Sequence, residues 1–278
     1  MKYILVNPLS NNSHGEEVLD KVLELIEDEK EVLKLTQINL VDFVSKLNKE
    51  DELILVGGDG TINNFVNKLE GNIPSNNIYI YPAGTGNDFL KDVGYTEGLF
   101  LLNKYLVNLP KVTVKGKTSY FINGVGFGID GYCCEIGDKL KAQSTEKINY
   151  SSIAIKGLLF HFKKVKATVE VDGQVYNYKH VWIAPTMHGR YYGGGMNMAP
   201  NQDRLASEKT LTNVIYKSWS KMAALISFPS IFKGEHIKKK NIVKIHTGKK
   251  IKVTFNRPTA LQIDGETVLD VLSYEVEI

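Results

Sequence analysis

The stretch that decides the fold runs from residue 53 to residue 69 and reads LILVGGDGTINNFVNKL. An apolar run comes first, three glycines follow it, and apolar residues then recur at the i, i+3, i+4 and i+7 spacing of a helix. Glycines between a strand and a helix let the backbone approach a ligand and leave several amides free to bind one anion. The pattern predicts a phosphate-binding loop, with a plain glycine turn after a buried strand as the alternative.

An aspartate, Asp59, lies inside this loop. A carboxylate beside phosphate oxygens is repelled unless a divalent cation lies between them. The loop therefore predicts Mg²⁺ together with a nucleotide, and Asp59 is the expected ligand of the ion. The residues of the loop and the following turn that we expect at the nucleotide are Gly57, Gly58, Asp59, Gly60, Thr61, Ile62 and Asn63.

A second loop of the same kind follows the next predicted strand. Residues 78–81 read IYIY and run directly into PAGTGNDF at residues 82–89. Again a strand ends in glycines, a hydroxyl and a carboxylate, which are groups that bind phosphate and its counter-ion. We expect Asp88 to act both as a helix N-cap and as a carboxylate of the site. The residues expected at the nucleotide are Gly84, Thr85, Gly86, Asn87 and Asp88.

Together the two loops resemble those of the diacylglycerol kinase catalytic family of lipid kinases, in which GGDGT precedes GTGNDF. Further segments fall in the order of that family: VNP at residues 6–8, FINGVGFGID at 121–130, GGGM at 193–196 with AP at 199–200, FKGEH at 232–236 and IDGE at 263–266. The resemblance covers nearly the whole chain. It implies ATP and Mg²⁺ as cofactors and a lipid hydroxyl as the acceptor of the phosphate.

The predicted secondary structure divides the chain in two. Residues 1–110 alternate apolar strands with helices, which is typical of a parallel sheet covered on both faces. Ligands bind such sheets at the carboxyl ends of the strands, where both glycine loops fall. Residues 111–278 carry short β-rich pieces, a hairpin signal at Asp172-Gly173 and one helical interruption near residues 221–232, which predicts an antiparallel sandwich.

The resemblance implies the same fold class: an α/β N-terminal domain like that of NAD kinases and phosphofructokinases, a C-terminal antiparallel β-sandwich domain, and an active cleft between them. It also identifies Asn7 and Pro8 with the opening nucleotide loop of the family. Thr36 follows the second predicted strand, and its hydroxyl is a candidate contact of the nucleotide. A polar strand end is an equally good interpretation of Thr36.

The proton acceptor is assigned through the resemblance. The family places a DGE triplet against the nucleotide, and this chain has the triplet as Asp264-Gly265-Glu266. On that basis we favour Glu266 as the base, with Asp264 beside it. An ordinary hairpin with an Asp-Gly turn is the alternative for the same residues. Asp59 is a competing candidate for the base, and we assign it instead to Mg²⁺ and nucleotide positioning.

Three segments depart from the family pattern. Asn64 stands where the family usually has a glutamate, and the opening loop reads SNNS at residues 10–13, where glycines are usual. The loop after Pro200 reads NQDRLASEKT, which leaves Asp203 and Glu208 as the remaining candidate ligands of a structural Mg²⁺. These changes are compatible with low activity or with an unusual substrate.

The leading interpretation is a lipid kinase that moves the γ-phosphate of ATP onto diacylglycerol to give phosphatidic acid, with sphingoid bases and other lipid alcohols left open. A small-molecule kinase of the NAD-kinase type shares the GGDGT loop, but GTGNDF and the DGE triplet resemble the lipid kinases. A nucleotide- or lipid-binding regulator that has lost catalysis is the alternative from another class. Retention of Asp59, Asp264 and Glu266 argues against such a regulator.

The composition restricts the partners and the location. A net charge of +3 does not indicate nucleic-acid binding. The adjacent Cys133 and Cys134 favour reduced thiols over a strained mutual disulfide. Neither a signal peptide nor the roughly 20 apolar residues of a membrane-spanning helix is predicted. We therefore expect a cytoplasmic protein that associates peripherally with a membrane to reach its lipid; a homodimer is left open.

A basic segment follows an apolar stretch late in the chain. The apolar residues lie between positions 225 and 232, and lysines come directly after them. Lysines beside an exposed apolar edge favour binding to anionic lipid. A solvated lysine run after a core helix is the alternative. The lysines predicted to contact an anionic membrane are Lys233, Lys238, Lys239 and Lys240.

Overall fold

The computed structural model describes residues 1–8, 15–83, 87–141 and 161–278, together with positions 153, 156 and 157. These residues form two compact units, Met1–Leu109 and Pro110–Ile278. Gly84, Thr85 and Gly86 of the second glycine loop lie outside the described residues, and so does the SNNS segment. The expectations for those residues stay predictions from sequence.

The first unit is built around a parallel sheet. Its described elements are β1 (Lys2–Val6), α1 (Gly15–Leu25), β2 (Lys30–Lys34), α2 (Leu40–Val44), β3 (Glu52–Gly57), α3 (Asp59–Lys68), β4 (Asn77–Pro82), α4 (Asp88–Asp92) and β5 (Phe100–Leu101). The strand order is β2-β1-β3-β4-β5, with β5 antiparallel at the edge and the other strands parallel. The predicted α/β domain with a parallel sheet is confirmed.

The register of this sheet brings the carboxyl ends of three strands to one level. Val6 of β1 lies opposite Val56 of β3, and Val56 lies opposite Tyr81 of β4. The residues that follow these strands therefore emerge at the same edge of the sheet, which is where ligands bind in such folds. Both glycine loops begin at this edge.

The core of the first unit follows the position of each strand in the sheet. Ile4 and Leu5 of β1 and residues 53–55 of β3 are fully buried. β2 differs, because it lies at the edge of the sheet and most of its side chains are exposed. The prediction of strands that are apolar throughout is therefore wrong for β2.

The second unit is antiparallel. Its described elements are β6 (Lys111–Val114), β7 (Lys117–Tyr120), β8 (Gly124–Phe127), α5 (Ile129–Lys141), β9 (Val165–Val171), β10 (Gln174–Ile183), β11 (Thr186–Met187), β12 (Tyr191–Tyr192), β13 (Met196–Asn197), β14 (Leu211–Lys217), α6 (Lys221–Ser227), β15 (Val243–Gly248), β16 (Lys250–Ile263) and β17 (Glu266–Glu277). One sheet has the order β7-β6-β17-β16-β8-β11-β14-β10-β9, and β15 also pairs with β14. The predicted antiparallel β domain is confirmed.

β16 belongs to two parts of this sheet. Its residues 251–255 pair with β9, whereas its residues 261–263 pair with β8. The sheet therefore folds back on itself around an apolar core, in which the rings of Phe127 and Phe255 stack with centroids 3.8 Å apart. β16 ends at the turn that carries the DGE triplet.

Two Asp-Gly pairs form the tight turns of hairpins. φ is +47° at Asp172 and +85° at Gly173, and it is +47° at Asp264 and +97° at Gly265. Positive φ at both central residues is the two-residue hairpin turn that favours Asp-Gly. The hairpin predicted at Asp172-Gly173 is confirmed, and Asp264-Gly265 joins β16 to β17 in the same way.

Some local predictions for the second unit are wrong. The sequence predicts one helical interruption, near residues 221–232, and α5 is a further helix that was not predicted. β10 is a single long strand, and a register shift against β9 between Tyr178 and Val181 interrupts its pairing. The helix near residue 221 is α6, followed by a 3₁₀ turn at Phe228–Ile231 that contains Pro229.

Two further expectations concern the cysteines and a membrane-spanning helix. Cys133 and Cys134 are free thiols. Among the described residues, no helix is long and apolar enough to cross a membrane.

Candidate active site

The candidate site residues of the first unit lie where β1 and β3 end. The side-chain amide of Asn7 donates to the Thr61 hydroxyl over 3.2 Å, and the Asn7 main-chain amide donates to the Val56 carbonyl. Gly57 has to be glycine here, because a Cβ atom would come within 2.0 Å of Thr61 Oγ1. Three residues predicted at the nucleotide, Asn7, Gly57 and Thr61, therefore pack together, with Pro8 half-buried beside them.

The helix α3 begins inside the GGDGT loop. Gly58 holds its N-cap position in an extended conformation, and the Gly58 carbonyl accepts hydrogen bonds from the amides of Thr61 and Ile62. A side chain at Gly60 would meet nothing within 4 Å. The first amides of a helix are natural donors to phosphate, and the open space at Gly60 leaves room for one. The helix therefore begins inside the predicted phosphate-binding loop, and phosphate binding by the loop stays a prediction.

Asp59 connects the two glycine loops. Its carboxylate accepts hydrogen bonds from the amide of Asp88 at 2.8 Å and from the amide of Phe89 at 3.2 Å. These are the first amides of α4, so Asp59 caps a helix that follows the second loop. The prediction of Asp88 as the N-cap is wrong, because Asn87 holds that position and the capping oxygens come from Asp59.

The other residues predicted at the nucleotide lie in different settings. Thr36 is exposed in the turn after β2. The Ile62 side chain is fully buried in the core, which leaves only its backbone for a ligand. The side-chain oxygen of Asn63 accepts a hydrogen bond from the Asn67 side chain within the same helix. The structure therefore brings Asn7, Gly57 and Thr61 together beside Asp59, while Thr36 lies exposed in the turn after β2 and its contact with a nucleotide stays a prediction.

Asp264 holds a loop of the second unit. Its carboxylate accepts hydrogen bonds from the backbone amides of Ile122, Asn123 and Gly124 at 2.5, 2.8 and 3.0 Å. The turn itself is braced by Gln262, whose side-chain oxygen accepts from the Gly265 amide at 2.7 Å. Charge-assisted bonds of this kind are strong, so Asp264 fixes the turn against residues 122–124.

Glu266 has a different environment. It is the first residue of β17, directly opposite Ile263 across the hairpin, and its side chain is exposed. The two carboxylates of the DGE triplet therefore differ sharply: one is committed to backbone amides and the other projects into solvent. That difference separates a positioning group from a group that is accessible to a substrate.

Sequence reasoning missed two buried polar residues beside this loop. The Arg204 guanidinium donates to the Ile122 carbonyl and to the Asn123 side chain, both over 3.1 Å. The His188 ring also contacts the Ile122 carbonyl, over 3.0 Å. Arg204 lies in the 201–210 loop that departs from the family pattern. That departure was the one feature of the sequence that pointed to this loop. Nothing in its sequence context indicates that the guanidinium is buried.

The predicted ligands of a structural Mg²⁺ in the 201–210 loop have other contacts. Asp203 accepts a hydrogen bond from the Leu205 amide at 2.8 Å, and Glu208 lies 3.6 Å from Lys249 in an exposed ion pair. Across the described residues, no group of three or more His, Cys, Asp or Glu side chains could hold a metal ion. The assignment of Asp203 and Glu208 to a structural Mg²⁺ therefore stays a prediction from sequence.

The donor set of the first unit does fit a nucleotide with Mg²⁺. A half-buried carboxylate, the first amides of α3 and the Thr61 hydroxyl lie at one sheet edge. Mg²⁺ is coordinated by oxygen ligands, and phosphates accept hydrogen bonds from the backbone amides at helix N-termini. Asp59 is the residue that would contact the ion, and residues 57–61 would hold the phosphates.

The fold defines a two-unit class of protein, in which an α/β unit with a parallel sheet precedes an antiparallel β unit. Family models match most of the chain: "Diacylglycerol kinase catalytic domain" over residues 2–107 and "YegS C-terminal NAD kinase beta sandwich-like domain" over residues 123–276. The second match alone covers more than half of the chain. The chain therefore belongs to the diacylglycerol kinase catalytic-domain family of lipid kinases, and the resemblance drawn from the two loops is confirmed.

Individual relatives agree with this assignment. A protein of Mycobacterium tuberculosis (strain H37Rv) named "Diacylglycerol kinase" is 27% identical over 197 residues, which are 67% of this chain and 62% of that protein. The chain thus spans less than two thirds of the length of that relative. A solved structure of a diacylglycerol kinase from Bacillus anthracis has a TM-score of 0.67 and 21% identity, covering 99% of this chain and 93% of that one. The second similarity shows that the fold is shared.

Proposed function

We propose that this protein transfers the γ-phosphate of ATP to a lipid hydroxyl, with diacylglycerol as the first candidate acceptor and phosphatidic acid as the product. The observation that supports it best is the Asp59 carboxylate, which joins the GGDGT loop to the start of α4. Family membership supports a lipid as the acceptor, and the name of the Mycobacterium relative favours diacylglycerol.

The residues of the first unit supply phosphate binding. We assign the first amides of α3 to the phosphates and the Thr61 hydroxyl, fixed by Asn7, to the same task. Bound Mg²⁺ would neutralise phosphate charge, which is the main requirement of phosphoryl transfer. Asp59 is assigned to that ion. Because the Asp59 oxygens also cap α4, the hydrogen bonds to Asp88 and Phe89 hold the carboxylate in place.

The residues of the second unit supply the proton acceptor. Glu266 is assigned to the proton of the lipid hydroxyl, because its side chain is exposed and therefore accessible to a substrate. Asp264 is assigned to positioning, because its carboxylate ties the turn to residues 122–124. The Arg204 guanidinium holds the same loop by donating a hydrogen bond to the Ile122 carbonyl.

Peripheral attachment to an anionic membrane is part of the proposal. Lys233, Lys238 and Lys240 are exposed, and among the described residues no carboxylate pairs with any of them. Lys239 differs, because its ammonium donates to the Ser230 hydroxyl at 3.1 Å. A lysine near an anionic leaflet contributes about 1 kcal/mol to membrane binding. We assign this contribution to the three exposed lysines, because their ammonium groups are free to reach the headgroups.

The deciding experiment is a transfer assay. The protein is incubated with labelled ATP, Mg²⁺ and mixed micelles that contain diacylglycerol, a sphingoid base or another lipid alcohol, with NAD in a separate reaction. Label in a lipid supports the proposal, and the labelled lipid identifies the acceptor. Label in NAD instead would establish a small-molecule kinase. ATP binding without transfer to any acceptor would indicate a regulator.

A further inference from the structure

The exposed apolar side chains near α6 are unusual for this molecule. Trp219 is 76% exposed, Met222 57% and Ile226 75%. Within the apolar stretch predicted between positions 225 and 232, Phe228 and Ile231 are buried in the core, whereas Ile226 is exposed. The apolar ridge of the protein is therefore Trp219, Met222 and Ile226, and the name is used for these three residues.

Met222 and Ile226 lie four residues apart on α6, so they project from the same face of the helix. Ser220 caps this helix, its hydroxyl accepting from the Ala223 amide at 3.3 Å. The opposite face is anchored, because Ala224 and Ser227 are buried and the Tyr216 hydroxyl donates to the Ala224 carbonyl at 2.7 Å. The helix is thus fixed on one side and apolar on its free side.

Trp219 is exposed and yet held in place. The Lys164 ammonium lies 4.7 Å from the centre of the indole ring and donates to the Trp219 carbonyl at 2.6 Å. The His180 ring contacts the indole edge-on, with centroids 4.4 Å apart. An exposed indole buries little apolar surface, so the stability of the fold does not explain why Trp219 is held in this position. Exposed tryptophans close to lysines are instead typical of surfaces that contact the membrane–water interface.

The chain segment that carries the ridge is strongly basic. Residues 217–244 contain seven lysines and a single acidic residue, Glu235. Next to Trp219, burial and the nearby lysines Lys164, Lys179 and Lys217 lower the pKa of His180. A protein partner of the usual mixed charge has no counterpart for so one-sided a surface, whereas the headgroups of an anionic leaflet do.

We propose that the apolar ridge inserts into the interfacial layer of an anionic membrane, while the surrounding lysines contact the headgroups. The proposal rests on the proposed function only in that a lipid kinase has to meet its substrate at a membrane. It goes beyond attachment by lysines, because an inserted ridge gives a component of binding that salt does not remove. Charge draws the surface to the leaflet and apolar burial keeps it there.

The two tryptophans of the chain provide the test. Trp182 is fully buried, and its ring nitrogen donates to the Ser218 carbonyl, so its emission reports a constant interior. Purified protein without ATP is titrated with vesicles of phosphatidylglycerol and, separately, of phosphatidylcholine, neither containing diacylglycerol. We expect a blue shift with the anionic vesicles, quenching by lipids brominated near the headgroup, and no shift in the Trp219→Phe variant.

Variants separate insertion from simple charge attraction. Ile226→Gln is expected to weaken partitioning into phosphatidylglycerol vesicles by about tenfold at high salt, because it removes most of one inserted side chain. Val175→Gln is the matched control, since Val175 is 58% exposed in the hairpin of β9 and β10. It should leave partitioning unchanged. Lys238, Lys239 and Lys240 all changed to Gln should weaken binding mainly at low salt.

Two results would overturn the proposal. One is vesicle binding without a blue shift, which would mean that the lysines attach the protein and the ridge stays in water. The other is a blue shift that depends on protein concentration and not on vesicles, which would make the ridge a contact between two copies of the chain. Both readouts are independent of phosphate transfer, so a failed transfer assay leaves them intact.

Discussion

Two aspartates, one in each unit, make the same kind of contact from different backbones. Asp59 lies in the first turn of α3 and binds the amides of Asp88 and Phe89. Asp264 lies at a hairpin turn with positive φ and binds the amides of residues 122–124. In both units, a carboxylate that sequence motifs place in the site also holds a neighbouring loop in position.

The surroundings of the two aspartates differ, and the difference separates their roles. Asp59 belongs to a helix start, where backbone amides and open space at Gly60 are available to an anion. Asp264 belongs to a turn in which the side chain is directed at backbone amides and the exposed Glu266 follows two residues later. We infer that binding in the first unit uses the backbone around the aspartate, whereas chemistry in the second unit uses the glutamate beside it.

The largest expected effect concerns this division within the DGE triplet. Glu266→Gln keeps the shape of an exposed side chain but cannot accept a proton, so we expect kcat to fall by on the order of a hundredfold or more. The KM for ATP and the unfolding midpoint should stay close to those of the unchanged protein. Steady-state kinetics in mixed micelles measures the first, and thermal unfolding measures the second.

The control for that change is Asp270→Asn, which alters another exposed carboxylate in β17. It should leave kcat unchanged. Asp264→Asn provides the contrast, because it disturbs three charge-assisted bonds and should lower stability together with activity. If Asp264→Asn abolishes turnover in a fully stable protein while Glu266→Gln is mild, the two roles are reversed.

The first unit could be predicted from sequence in detail because its signals are local. Strand, glycines and helix follow one another between residues 53 and 69, and each part has its own periodicity. The partner of Asp59 could not be predicted. The amides that it caps lie 29 and 30 residues further along the chain, and no local pattern links a carboxylate to a distant helix start.

The second unit was less predictable for the same physical reason. Its strands pair over long distances, as when β16 contacts both β8 and β9. Resemblance identified the DGE triplet, but its hydrogen bonds to residues 122–124 cross about half of the chain. Arg204 was missed because a buried arginine reads in sequence as an ordinary surface charge.

A third carboxylate extends the comparison, because its side chain is buried in the second unit and its pKa is governed mainly by that burial. Asp130 is almost fully buried and accepts a hydrogen bond from the Tyr192 hydroxyl at 2.9 Å. Loss of solvent raises the pKa of Asp130 to about 6, against an ordinary value of 3.8. The folded protein therefore holds the proton of this carboxyl more tightly than the unfolded chain does.

The sign of the stability effect follows directly. The contribution of protonated Asp130 to the free energy of unfolding is fully present below pH 3.8, and it is lost as the pH rises through about 6. At pH 8 the buried charge should cost about 3 kcal/mol, so Asp130→Asn is expected to stabilise the protein there by up to that amount and to have little effect at pH 4. Urea unfolding at both pH values measures the difference. The exposed Asp20→Asn is the control, and an equal effect at both pH values would contradict the prediction.

The smallest expected effect on stability concerns Asp59. Asp59→Asn retains one oxygen that can cap α4, so the free energy of unfolding should fall by only about 1 kcal/mol. The matched control is Asn39→Ala, which removes the side-chain cap of α2 in the same unit, where the Asn39 oxygen accepts from the Asp42 amide. Urea unfolding should show similar losses for the two variants.

Nucleotide binding should distinguish these variants, because only one of them loses a carboxylate at the glycine loop. Calorimetry with ATP and Mg²⁺ should show affinity falling tenfold or more for Asp59→Asn and staying unchanged for Asn39→Ala. In the absence of Mg²⁺ the Asp59→Asn protein should bind ATP no worse than the unchanged protein, since the repulsion between carboxylate and phosphate is then removed. Equal affinity with Mg²⁺ in a folded Asp59→Asn protein would reduce Asp59 to a helix cap, and its resemblance to Asp264 would then be complete.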